Sequence, residues 1–118
     1  MQFEEFETLI KEGLSKLYDY TLLESSLLVK ELIVPDANYA DSKGKFLKLV
    51  LTESIEILKP IDKEYDLNAP EWRTYLVLNK RYVEGQNSLE VARLLSISER
   101  QYRRYLKLRR AIWFARTG

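Results

Sequence analysis

Apolar residues recur at intervals of three and four along most of this 118-residue chain, and polar runs, prolines and glycines interrupt them. The first stripe is Phe3, Phe6, Leu9–Ile10, Leu14, Leu17 and Tyr18, with Glu4, Glu5, Glu7, Lys11, Glu12 and Lys16 mostly between. It predicts an amphipathic helix over residues 2–19, with acids in the first turns, where the helix dipole favours them. Thr21 is placed to cap the next stretch, TLLESSLLVKELIV. Its leucine pairs predict one helix, or two short ones broken near Ser25–Ser26, ended by Pro35–Asp36. ANYADSKG reads as a loop, after which Asp41 or Ser42 starts a helix through KFLKLVLTESIEILK. Phe46, Leu47, Val50, Leu51, Ile55 and Leu58 share its broad apolar face, and Pro60 stops it. The β-branched residues of FLKLVLT also allow a strand, but the fifteen-residue reach favours helix.

IDKEYDLNA is polar and without period, so residues 61–70 read as a linker and candidate hinge. Pro70 suits the first position of a new helix. Trp72, Tyr75–Leu76, Leu78–Asn79 and Tyr82–Val83 then keep helical spacing as far as Gly85, a C-terminal cap. In the stretch SLEVARLLSISERQYRRYLKLRR, Ser88 reads as the cap of a short helix with Glu90 in its first turn. Leu89, Val91, Ala92, Leu94 and Leu95 would fill one side of it. The apolar run stops at Ser96, Ile97 is expected between two helices, and Ser98 caps a longer helix that begins with Glu99. This is the layout of a helix-turn-helix. The expected fold is therefore all-α: an acidic part of three or four helices over 1–60, a linker over 61–70, and a trihelical helix-turn-helix unit over 71–118.

Charge sharpens that division. The net charge is only +1, but residues 1–70 hold eight lysines and no arginine against fourteen carboxylates, a balance of −6. Residues 71–118 hold eleven Lys and Arg against four Glu, a balance of +7, and all nine arginines lie there. Arginine grips phosphate and guanine bidentately, and asymmetry of this kind points to nucleic-acid contact. The plainer reading is that the acidic and basic parts neutralise each other by packing.

The chain contains neither cysteine nor histidine, which removes disulfides, thiolate nucleophiles, imidazole bases and nearly every zinc or haem site. Glu53 and Glu56, or Asp62, Glu64 and Asp66, read as solvated surface rather than as a catalytic pair or cation site. No catalytic residue, metal ligand or cofactor site is assigned, and an enzyme is not expected. No run approaches the ~18–20 apolar residues of a membrane span, and the acidic N-terminus is unlike a secretory signal, so the cytoplasm is the expected compartment.

On the second helix of the turn unit, inward positions at Tyr102, Tyr105 or Leu106, and Ile112 or Trp113 leave Arg100, Arg103, Arg104, Lys107 and Arg110 on one outward arc. Five cations on one face repel one another unless an anion lies opposite. The alternative is a solvated basic face. For Tyr102 and Tyr105 core packing is favoured over stacking on bases, and Trp113 and Phe114 read equally as core or as a docking surface.

VEGQNSLEVARLLSISERQYRRYL, preceded by LNKRYVEG, resembles the helix-turn-helix of the −35-binding region 4 of sigma-70-type factors and of bacterial regulators that share the module. The resemblance rests on Tyr82 and Gly85, Val91–Ala92, Leu95, Ile97–Ser98 and Tyr102, and covers the last third to two-fifths of the chain. Ser96 departs from the usual glycine, Tyr102 and Tyr105 from Val or Leu, and Arg109 from a small residue. The resemblance implies a sequence-specific reader of double-stranded DNA, a bacterial transcriptional regulator with helix 98–110 in the major groove. Its candidate contacts are Ser98, Glu99, Arg100, Gln101, Arg103, Arg104, Lys107 and Arg110. Arg100 and Arg103 would meet base edges, and Arg104 and Lys107 phosphates or neighbouring bases.

The N-terminal helices would assemble a homodimer, matching a palindromic site, or receive a protein partner. The alternative is a non-enzymatic adaptor, or the N-terminal recognition domain of a larger signalling protein. A sigma-like factor is disfavoured, since no basic, aromatic-rich helix of the kind that melts promoters is present.

Overall fold

The first apolar stripe becomes helix α1, Phe3–Ser15, which buries Phe6, Ile10, Gly13 and Leu14 and carries Glu4 and Glu5 in its first turn. The computed structural model describes residues 2–29 and 43–110, and among them every regular element is helical. The strand reading of FLKLVLT is thereby excluded. Because α1 stops at Ser15, Tyr18 falls in the following turn and is exposed, its ring covered by the Lys48 ammonium 4.3 Å from the centroid.

Helix α2, Tyr20–Glu24, is capped by Asp19, whose carboxylate accepts the Leu22 N–H at 3.1 Å. The cap is thus Asp19 and not Thr21, in line with the stronger capping of a carboxylate. The expected break at Ser25–Ser26 is present. Ser25 Oγ donates to the Leu22 carbonyl, and Ser26 Oγ accepts the Leu28 N–H, local bonds that compete with the helical ladder. The expected stop at Pro35–Asp36 and most of the loop after it lie outside the described residues.

Helix α3, Lys43–Glu56, turns Leu47, Val50, Leu51, Ser54 and Ile55 inward. It ends before Lys59, where the Leu58 and Lys59 N–H groups reach back only three residues ahead of Pro60. At Gly13 a Cβ would meet Leu51 Cδ1 at 3.3 Å and Leu28 Cδ1 at 3.4 Å, so this position admits a close approach between helices. Gly44 sets the start of α3 directly on the backbone of Tyr20, with no room for a side chain.

The chain divides into two compact units, one of the described residues up to Ser54 together with Arg110, the other Ile55–Arg109. In the second, residues 61–70 form turns tied into the unit. Trp72 Nε1 donates to the Glu64 carbonyl at 2.9 Å, the Tyr65 ring meets Trp72 edge-on at 5.3 Å, and the Asp66 carboxylate accepts the Asn68 N–H.

Pro70 opens a 3₁₀ turn, Pro70–Trp72, that runs into helix α4, Arg73–Leu78, and then into a π turn, Asn79–Val83. Trp72, Tyr75, Leu76, Val77, Leu78 and Tyr82 are buried along it. Gly85 follows with φ +75°, the left-handed residue that the cap requires. Helices α5, Ser88–Leu94, and α6, Glu99–Leu106, complete the unit, with a 3₁₀ turn Lys107–Arg110 after α6. α4 packs on α6, and α5 packs on α6 and on the π turn.

Candidate nucleic-acid interface

Three local devices fix where α6 points. The first is the cap of α5: Asn87 Oδ1 accepts the Glu90 N–H at 2.9 Å. Ser88, expected as that cap, is the first helical residue instead. Its hydroxyl donates to the Tyr102 phenol at 3.0 Å and links α5 to α6. The second is the turn. Ser96 takes φ +55°, the Ile97 N–H donates to the Ala92 carbonyl at 3.0 Å and the Ser96 N–H to Arg93 at 3.2 Å. That is the Schellman pattern, adopted here by serine where glycine would be unstrained.

The third device is the cap of α6. Ser98 Oγ accepts the Gln101 N–H at 3.1 Å while Gln101 Oε1 accepts the Ser98 N–H at 3.0 Å, a reciprocal capping box. The amide oxygen of Gln101 is therefore committed to the helix end, leaving its NH₂ as the group able to reach outward.

Tyr102 is the inward anchor of α6 and is almost wholly buried, with Tyr105 and Leu106 half-buried beside it. Arg100, Arg103, Arg104 and Lys107 are all exposed. At 3.6 residues per turn these four fall within an arc of roughly 100° on the side opposite Tyr102. Glu99 pairs with Arg103 across 3.8 Å, both side chains well solvated, a contact of little strength. Among the described residues no carboxylate pairs with Arg100, Arg104 or Lys107. Ser98 and Glu99 are exposed at the start of the same helix, and the Arg110 side chain lies outside the described residues.

On α5 the expected apolar side is narrower. Val91, Ala92 and Leu95 are buried, while Leu89 and Leu94 are exposed and Ile97 is half-buried. Seven residues make only two turns, so the inward face holds steps of one, three and four and excludes the flanking leucines. Arg93, outside the predicted basic arc, is exposed on α5. It lines a depression of about 530 Å³ with Gln86, Glu90 and Leu94.

Behind the arc, Arg109 is buried where α6 gives way to the 3₁₀ turn. Its Nη1 donates to the Leu106 carbonyl at 3.0 Å, and its guanidinium lies beside the Tyr82 phenol. Burial pushes the Tyr82 phenol above its ordinary value, and the charge on Arg109 opposes part of that rise. Arg109 is thus a structural cation, distinct from the exposed set, and its position in the arginine run gave no sign of it.

Among the described residues no group of carboxylates could hold a metal ion, and no helix is long and apolar enough to cross a membrane. In comparisons with protein families, with curated proteins and with solved structures, nothing matches this chain.

Proposed function

We propose that α4, α5 and α6 form a trihelical helix-turn-helix and that the protein is a sequence-specific binder of double-stranded DNA, acting as a transcriptional regulator. The observation that carries this reading is the arc of Arg100, Arg103, Arg104 and Lys107 on α6, exposed and nearly free of carboxylate partners. A helix capped at its start, with four cations gathered on one solvent-facing arc, suits a polyanionic groove. Ser98, Glu99 and the Gln101 NH₂ sit at the end that would enter first, where side chains meet base edges. Arg100 and Arg103 then read guanine bidentately, each contact adding about 1–3 kcal/mol of discrimination. Arg104 and Lys107 lie toward phosphate, with Arg110 continuing the run. No catalytic group or cofactor enters this reading.

Fluorescence anisotropy of a labelled mixed-sequence duplex, read at several salt concentrations, tests it. Each phosphate contact releases counterions with a slope of about −0.9 in log K against log salt. Binding that falls steeply with salt, and by at least tenfold in the variant Arg100→Ala/Arg103→Ala/Arg104→Ala, is the expected result. Flat anisotropy from the folded parent would sink the DNA reading and leave the basic arc as a docking face for an acidic protein.

A further inference from the structure

The outward face of α5 carries exposed leucines together with an acid and a base. Val91, Ala92 and Leu95 turn inward, which leaves Leu89, Glu90, Arg93 and Leu94 together on the opposite arc. Leu89 is 56% and Leu94 43% exposed, two of the three large aliphatic side chains of this short helix. Neither Glu90 nor Arg93 forms an ion pair among the described residues. The depression of about 530 Å³ beside Leu94 is walled by these same two charged residues and Gln86.

This arc has the same chemical order from both ends. Reading from either terminus of Leu89–Leu94, a leucine comes first, then a charge, then the small buried pair Val91–Ala92. A second copy of the helix, antiparallel about an axis through the midpoint of Val91 and Ala92, sets Leu89 against Leu94 and Glu90 against Arg93. The axis generates each of these contacts twice. A parallel arrangement would instead oppose like charges. A patch that carries its own complement in this way is the requirement of an isologous interface.

We infer that the outer face of α5 is a contact between two copies of this chain, with crossed Glu90–Arg93 pairs nearest its axis and Leu89–Leu94 apolar contacts flanking them. The balance of one acid and one base disfavours a polyanion or a strongly acidic partner on the same face. Two helical turns bury less than the roughly 1,200 Å² of stable complexes, so self-association is expected to be weak, between about 10 µM and 1 mM. The inference does not depend on the DNA reading, because it concerns α5 and is tested without nucleic acid.

Sedimentation equilibrium of the whole chain between about 10 µM and 1 mM spans that range. The parent is expected to self-associate, Glu90→Arg and Arg93→Glu each to weaken association by at least tenfold, and the double variant to recover it. An equimolar mixture of the two single variants is expected to associate where neither does alone, since each then supplies the charge the other lacks. Circular dichroism verifies the helix content of each variant. If Glu90→Arg loses helix, Leu94→Asp at an exposed position replaces it and is expected to abolish association. A parent that stays monomeric throughout, or single variants that are not rescued by mixing, would overturn the inference.

Discussion

Ser96 stores a backbone conformation that its side chain opposes. Its φ of +55° is one of two left-handed non-glycine positions among the described residues, the other being Asp62 at +59°. An L-residue pays about 1–2 kcal/mol there, whereas glycine pays none but loses about 0.4–1 kcal/mol more through the entropy of its unfolded chain. The difference favours glycine. Ser96→Gly is therefore expected to stabilise the second unit by roughly 0.5–1 kcal/mol, seen as a higher urea midpoint at unchanged slope. An unchanged or lower midpoint would mean that the serine hydroxyl contributes something the geometry does not reveal. The strain was legible in the sequence only through the resemblance, which marks this position as one where glycine is usual. Periodicity alone says that a turn is needed and not which residue must adopt positive φ.

At the scale of the element, α6 is the helix whose start and exposed face were most readable, whereas the expected helix 98–110 turns 3₁₀ after Leu106. Ser98 and Gln101 stand at capping-box spacing, and the cations recur at three and four, so the start and the exposed arc follow from local rules. Ser98→Ala removes the acceptor of the Gln101 N–H and half of the reciprocal box, and is expected to cost about 1 kcal/mol in urea unfolding. Ser98→Asp, which restores an acceptor, should recover most of it. Where the sequence misled, two capping residues competed for one role. Asn87 and Ser88 are both good caps, and Thr21 stands only two residues from the stronger cap Asp19, so spacing could not choose between them. The π turn at Asn79–Val83 left no mark at all, because Leu78 and Tyr82 keep the same i, i+4 spacing as in a regular helix. Nor could composition distinguish the buried Arg109 from its exposed neighbours, since burial there depends on where Tyr82 lies.

For the whole molecule, the absence of histidine sets how stability responds to pH. No side chain ordinarily titrates between the carboxylates and the lysines or tyrosines, so stability is expected to be nearly flat from about pH 6 to 9. Among the described residues, the perturbed groups lie outside that window. Glu56 is held below the ordinary carboxylate value, chiefly by its hydrogen bond from Lys59, and also accepts the Tyr75 hydroxyl at 3.0 Å. A depressed carboxylate stabilises the fold above its unfolded value and loses that contribution as pH falls through its folded one. Burial raises the Tyr75 and Tyr82 phenols above 10.0, so what they contribute is complete below that value and is lost as pH climbs through the folded values. Lys59, raised by Glu56, acts in the same alkaline direction. All four residues belong to the second unit, Ile55–Arg109, which is therefore expected to limit alkaline stability. Absorbance at the phenolate band should show a late-titrating class of tyrosines, and Tyr82→Phe should remove part of it. The same titration by circular dichroism should lose helix only above pH 10. A fall in stability between about pH 6 and 9 would contradict this expectation, because the chain has no side chain that ordinarily titrates there.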